Sequence, residues 1–253
     1  MNPLLVCSKS TRKFLPGYKR VRVVTSAPTK DILKEVGTEE NVVAIGGGAV
    51  IDTAKILSKN PIRCYPTTAA GSSSTSWSVY WDGNKKCSLK RMLPSDVIIN
   101  ALFLEELSKE VIMSTTCDVV SHCLDSMSSI KATKESIEYC EEALQILRND
   151  KSNFGLIKAG DVAGKAIEIA GTNLLHSLSY PLTGNYNISH GIALGYLLPR
   201  LSKFMGFNVD DIISEYKIEL EFNKELVIKE AFKYDKINEF NKEISKEILY
   251  EKL

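Results

Sequence analysis

The sequence predicts an α/β domain built on a short, mainly parallel sheet, followed by an all-helical domain. Three observations predict it. Extended apolar runs alternate with helical stretches up to about residue 100, a run of three glycines joins one such strand to one such helix, and from Leu104 onward nearly every segment carries helical spacing. The α/β domain is placed at residues 1–104 and the helical domain at 105–253, as a shift of class without a flexible joint.

Val21 to Thr25 is a β-branched run closed by Ser26, Ala27 and Pro28, and a short helical stretch follows around Asp31 to Val36. Asn41 to Ile45 is a second strand, leading into Gly46-Gly47-Gly48, and Ile51 to Lys59 then has helical periodicity. Ile62 to Tyr65 is a third strand, closed by Pro66. Trp77 to Leu89 reads as a hairpin around Asp82-Gly83, and Val97 to Ile99 as one more strand. In the second half, Ser136 to Leu147 aligns Ile137, Cys140, Leu144 and Leu147 on one helical face. Lys158 to Tyr180 is a long proline-free run of small and apolar residues, read as one helix, and the tail from Asp210 is a Lys/Glu-rich amphipathic surface.

Composition removes several classes of function. The 253 residues are 44% hydrophobic and 25% charged, enough to bury a core without disulfides and too apolar for a disordered chain. With 32 basic and 31 acidic side chains, a formal charge of +1 offers nucleic acid no basic surface. No window approaches the ~20 apolar residues of a membrane helix. The opening MNPLLVCSKSTRKF has its basic residues after a short apolar run, the reverse of a secretory signal. Six cysteines without a C-x-x-C pair are expected to be free, mostly buried thiols in a reducing cytoplasm.

The chemistry-bearing residues are few. Its three histidines are His122, His176 and His190. Asp118 and His122 stand four apart in a helical segment and share a face. His176 lies late in the small-residue helix, and His190-Gly191 stands at a helix start after a turn-rich stretch. One carboxylate and three imidazoles make a four-ligand site for a divalent transition metal, or three ordinary buried histidines. Gly46-Gly47-Gly48-Ala49, between strand and helix, lets a phosphate approach free helix N–H groups, or is simply a tight turn. Pro66 to Thr75 is a second small, hydroxyl-rich stretch.

Taken together and in this order, these segments resemble the iron-containing (group III) alcohol dehydrogenase family. The run Gly46 to Lys55 resembles the family's GGGS-x-x-D-x-AK signature, with Ala49 in place of serine. Pro66-Thr67-Thr68-Ala69 matches the start of its PTTAGTGSE loop, Asp118-x-x-x-His122 its metal pair, and His190-Gly191 the end of its second metal motif. Trp81-Asp82-Gly83-Asn84-Lys85-Lys86-Cys87-Ser88-Leu89, and Tyr180 where many members have a second histidine, are similar to the branch that includes phosphonoacetaldehyde reductases.

The resemblance implies a dehydroquinate synthase-like architecture: a Rossmann-like nucleotide domain with a shortened parallel sheet, then a helical metal-binding domain. It implies Fe²⁺, or Zn²⁺, on Asp118, His122, His176 and His190. NAD(H) or NADP(H) would lie on Gly47, Gly48, Ala49, Thr67, Thr68, Ser73 and Lys86. Tyr180 would relay a proton or line the substrate pocket. The implied activity is a metal-dependent, NAD(P)H-linked alcohol dehydrogenase or aldehyde reductase acting on a small aldehyde or alcohol, and on the finer likeness a phosphonate-bearing one, in a homo-oligomer (a dimer). The family carries a further α/β unit between its first strand and the glycine turn. Here Pro28 to Glu40 alone fill that interval, so the alternative is a non-catalytic metal- or ligand-binding remnant that has lost part of the nucleotide site.

Overall fold

The structure, a computed structural model, describes residues 2–103 and 107–253; the expected boundary at 104/105 lies outside the described residues. Its first half is a five-stranded parallel sheet in the order β2-β1-β3-β4-β7, with β1 Leu4–Cys7, β2 Arg20–Val23, β3 Val42–Gly46, β4 Arg63–Pro66 and β7 Asp96–Val97. A separate antiparallel hairpin pairs β5 Trp77–Asp82 with β6 Lys85–Lys90. Asp82 pairs with Lys85, so the two turn residues are Gly83 and Asn84, and Gly83 has the positive φ of 58° that such a turn asks for.

One strand escaped the sequence reading. Leu4–Cys7, taken only as a short apolar run, sits between β2 and β3 in the sheet. All four of its residues are buried. Leu4 and Val6 face α1 (Gly48–Leu57), whereas Leu5 and Cys7 face Phe14, Leu15, Tyr18 and Phe103. A strand covered on both faces shows no alternation, and four residues are too few for periodicity to register. The interval expected to be short is short: between β2 and β3 residues 28–40 hold only the 3-10 turn Lys30–Glu35, and β1 reaches β2 through another such turn, Arg12–Phe14.

The second half is helical: α2 Lys109–Met127, α3 Lys134–Asn149, α4 Asn153–Ala170, α5 Leu174–Tyr186, α6 His190–Met205, α7 Asp210–Ile213, α8 Lys224–Ala231 and α9 Lys246–Lys252. The run expected as one helix over 158–180 is two. Gly171, with φ 73°, ends α4, and Asn173 caps α5, its side chain accepting from Leu174 N. The break re-aims α5, and with it His176, toward α2. Buried aliphatic side chains of α2 to α6 form the larger core, each worth roughly 1.5–3 kcal/mol when fully buried.

The small residues of α4 have a purpose in packing. A Cβ on Gly160 would lie 2.5 Å from the Ala69 carbonyl oxygen, and one on Gly164 2.8 Å from that of Gly71. The loop after β4 therefore rests directly on the α4 backbone. Ser74 Oγ donates to Asp161, and Ser76 Oγ and N donate to Glu168 at 2.7 and 2.8 Å, clamping the loop there. This contact joins the sheet to the helices and seats Gly71 against the His122 ring. All six cysteines are free; five are buried and Cys87 is half-buried. No helix among the described residues is long and apolar enough to cross a membrane.

Candidate metal centre and cofactor cavity

Helix α2 starts at Ser108, whose hydroxyl accepts from Val111 N, and carries Asp118, His122 and Asp125 on one stripe facing the interior. Helix α5 supplies His176 and, one turn on, Tyr180. Asn187 closes α5 in the left-handed conformation, with φ 55°, and α6 opens on His190. The short reversal brings the His190 ring to 5.3 Å from that of His176.

Asp118 Oδ1 is the hub. The Nε2 atoms of His122 and His176 lie 3.4 Å from it and that of His190 3.8 Å. Ligand atoms of Asp118, His176 and His190 all fall within 4.8 Å of one another. His122 stands slightly apart, outside that mutual set, its ring stacked on His176 at 4.8 Å. Asp118 Oδ1 and His176 Nε2 are buried and make no aligned hydrogen bond. Buried polar atoms are normally satisfied, so orphans converging on one point mark a place for a cation.

Protonation follows from the surroundings. Burial raises Asp118, but His122, His176 and His190 overcome it and hold the carboxyl well below its usual range. Burial drives His122 down to about 4 against the pull of Asp118. Burial and then Lys86, whose Nζ lies 3.4 Å from His190 Nε2, push His190 well below its ordinary value. His176 is also lowered by burial, yet the Asp118 carboxylate, 3.4 Å from Nε2, and Asp125, hydrogen-bonded to Nδ1, lift it to about 9. Two neutral imidazoles, and a third once it loses its proton, around an ionised carboxylate are a donor set for Fe²⁺ or Zn²⁺.

Two supporting residues were not singled out from the sequence. Asp125 accepts from His176 Nδ1 at 2.8 Å and from the backbone N–H groups of Asn173, Leu175 and His176 at 2.9, 3.0 and 3.2 Å. It fixes the ring so that Nε2 faces Asp118. Ser179 Oγ lies 3.2 Å from His190 Nδ1 and does the same for that ring. The seven-residue step from Asp118 to Asp125 is two helical turns, and was the one signal available.

A cavity of about 720 Å³ runs from this cluster to the sheet. Of the residues expected to hold a nucleotide, Gly48, Ala49 and Lys86 line it. Gly47, Thr67, Thr68 and Ser73 do not; their place on the wall is taken by Ala70, Ser72 and Thr75. Gly47 packs instead under Thr68, where a Cβ would meet Oγ1 at 2.9 Å. The amides opening α1 carry no side-chain cap. Asp52, within the run Gly46 to Lys55, is buried on the cavity wall, 3.6 Å from Lys55 Nζ. Lys55, itself buried, donates to the carbonyls of Ser72, Thr75 and Trp77 and so staples the hydroxyl-rich loop to the glycine turn. Tyr180 lines the cavity, its ring 5.9 Å from His190 and 4.5 Å from Lys86 Nζ. Burial raises its hydroxyl, but Lys236, Lys86 and His176 prevail and bring it to about 7.

Residues 112–249, more than half of the chain, match the model of the Fe-containing alcohol dehydrogenase family, C-terminal. Phosphonoacetaldehyde reductase of Streptomyces viridochromogenes is 28% identical over 206 residues, covering 64% of this chain and 52% of the relative. 4-Hydroxybutyrate dehydrogenase of Clostridium kluyveri is 25% identical over 202 residues, covering 64% and 54%. The chain thus spans about half the length of the curated relatives it matches. Among solved structures, the iron-containing alcohol dehydrogenase of Thermotoga maritima superposes with a TM-score of 0.82 at 21% identity, covering 100% of this chain and 90% of that one, a likeness of fold.

Proposed function

The chain belongs to the Fe-containing alcohol dehydrogenase family, and from that premise we propose that it is a metal-dependent, NAD(P)H-linked reductase of small aldehydes. The observation that carries this reading is the convergence of Asp118, His176 and His190 on one wall of the cavity whose other wall is the glycine turn. Asp118, His176 and His190, with His122 beside them at 3.4 Å from Asp118 Oδ1, would hold Fe²⁺ or Zn²⁺. When bound, such a cation supplies Lewis-acid chemistry, polarising a carbonyl oxygen and neutralising the charge that develops there.

The chain's own residues do the rest. Gly48, Ala49 and the uncapped amides of α1 offer N–H groups and the positive end of the helix dipole to a pyrophosphate. Thr68 packs on Gly47 and the Thr67 N–H donates to the Gly46 carbonyl at 3.1 Å, so these residues hold the turn without lining the cavity. Lys86 stands between the nucleotide end of the cavity and His190. Tyr180 walls the cavity beside the histidines, its ring 6.3 Å from that of His176 and 5.9 Å from that of His190.

Two relatives, phosphonoacetaldehyde reductase and 4-hydroxybutyrate dehydrogenase, are named for substrates that carry an acid group. They favour a short aldehyde with a charged end, phosphonoacetaldehyde first. The test is to titrate anaerobically prepared, Fe²⁺-loaded protein with NADH and NADPH, following nicotinamide fluorescence. Saturable binding of either, with turnover of phosphonoacetaldehyde, is expected. No binding at millimolar cofactor would overturn the reading, because the shortened crossovers would then have cost the nucleotide site.

A further inference from the structure

The cavity is unevenly charged. Four carboxylates line it, and each is committed: Asp118 to the histidines, Asp52 to Lys55, Glu168 to Ser76, and Glu239 to Lys131 at 2.6 Å. Two of its lysines, Lys86 and Lys236, have no carboxylate within ion-pair reach among the described residues. Lys86 is engaged with His190 and the Tyr180 ring. Among the described residues Lys236 makes one hydrogen bond, to Thr172 Oγ1 at 3.4 Å.

Lys236 is half-buried on the 3-10 turn Asp235–Glu239, which packs on α5. Thr172 lies in the break between α4 and α5. A cation and a hydroxyl therefore meet on the cavity wall that Tyr180 also lines, where the Tyr180 ring lies against His190. An ammonium that lines the cavity without a carboxylate partner among the described residues is open to an anionic ligand.

We propose that Lys236 and Thr172 form an anion subsite that selects short aldehydes ending in an oxyanion (phosphonate, sulfonate or carboxylate) and sets the carbonyl toward the histidine cluster. The proposal rests on the reductase reading for its substrate and on charge balance for its residues. Lys236 provides the charge, Thr172 Oγ1 a hydrogen bond, and Tyr180 the wall between the two ends of the substrate.

The test compares Lys236→Met, which keeps the stem and removes the charge, with Lys236→Arg, which keeps the charge. The metal-loaded enzyme is assayed with phosphonoacetaldehyde, succinic semialdehyde and neutral propanal, and the ratio of kcat/KM values is read. Charge-assisted hydrogen bonds predict that the preference for the anionic aldehydes falls ~10- to 100-fold in the Met variant and largely returns in the Arg variant. The two anionic aldehydes distinguish a phosphonate from a carboxylate preference. An equal loss for charged and neutral aldehydes, with a shifted pH profile, would mean that Lys236 acts only on Tyr180, and would overturn the subsite. In parallel, 2-hydroxyethylphosphonate binding is followed by phosphorus NMR on the metal-loaded protein. Binding that Lys236→Met abolishes, in a protein that turns over no aldehyde, would refute the reductase reading and leave the subsite standing. Turnover of neutral aldehydes with no phosphonate binding would do the reverse.

Discussion

Replacing Asp125 by Asn removes one negative charge and exchanges one acceptor oxygen for a donor, at a site with no solvent to compensate. Asp125 is fully buried and accepts four hydrogen bonds. Three reach Oδ2, from Asn173 N, His176 N and His176 Nδ1, and one reaches Oδ1, from Leu175 N. An asparagine can keep its oxygen at the Oδ2 position, and its NH₂ group then faces the Leu175 N–H. The Leu175 N–H and the new NH₂ are then both buried donors without an acceptor, at about 1–3 kcal/mol each. Loss of the anion at the start of α5 adds about 0.3–1 kcal/mol. The expected loss of stability is therefore about 2–7 kcal/mol, measured by urea unfolding of the metal-free protein. The metal feels a second effect. An amide oxygen accepts more weakly than a carboxylate, so His176 becomes a poorer ligand, and affinity should fall ~10- to 100-fold, or about 1.4–2.8 kcal/mol. Competitive titration with Zn²⁺ or Co²⁺ against a chelating dye reads that number. A variant as stable as the parent that also binds metal as tightly would refute the account of Asp125 as the group that orients His176.

Three further outcomes follow from the same geometry. His176→Ala or His190→Ala should each abolish metal binding and activity together; full metal occupancy in either, measured by elemental analysis, would remove that residue from the ligand set. Gly191→Ala places a Cβ 2.1 Å from Ser114 Oγ and 2.2 Å from its carbonyl oxygen, so α6 must move off α2. Overpacking of that kind costs about 1–3 kcal/mol, and a lowered Tm with weakened metal binding is expected because His190 is the adjacent residue. Metal binding should release about one proton near pH 7.5, read by calorimetry in buffers of different ionisation heat. His176, raised to about 9, is protonated there and must lose its proton, whereas His122, at about 4, is already neutral. The sign carries to stability. The raised value of His176 stabilises the metal-free fold fully below its unfolded value of 6.5, and that contribution is lost as pH rises through about 9.

Much of this protein was legible before any coordinates. Gly46-Gly47-Gly48 had to be a strand-to-helix turn, because an apolar run stops and a helical period starts on either side of it, and β3 and α1 meet there. The hairpin over Trp77–Leu89 was legible because a glycine at a turn between two extended runs is a local signal, and β5 and β6 pair as expected. Asp118 and His122 were readable as a pair because four residues on a helix are one turn. His190 was readable as a helix start, and α6 begins on it.

What tertiary structure decided is what depends on contacts between distant segments. The four residues of β1 carry no period, and only pairing with β2 and β3 makes them a strand. The break at Gly171–Asn173 was hidden in a helical composition, and what holds it is Asp125 from α2, accepting the N–H groups of a neighbouring helix. The hydroxyl loop reads as a row of equivalent small residues, but its packing on the α4 glycines decides that Ser72 and Thr75 face the cavity while Thr67 and Ser73 do not. Lys236 sits in a Lys/Glu-rich tail where every lysine looks solvated, and the fold alone leaves it in the cavity without a carboxylate partner among the described residues. Period and punctuation are local properties that a chain carries in its order of residues. Counter-charge and packing partners are set only when segments far apart in that order are brought to the same place.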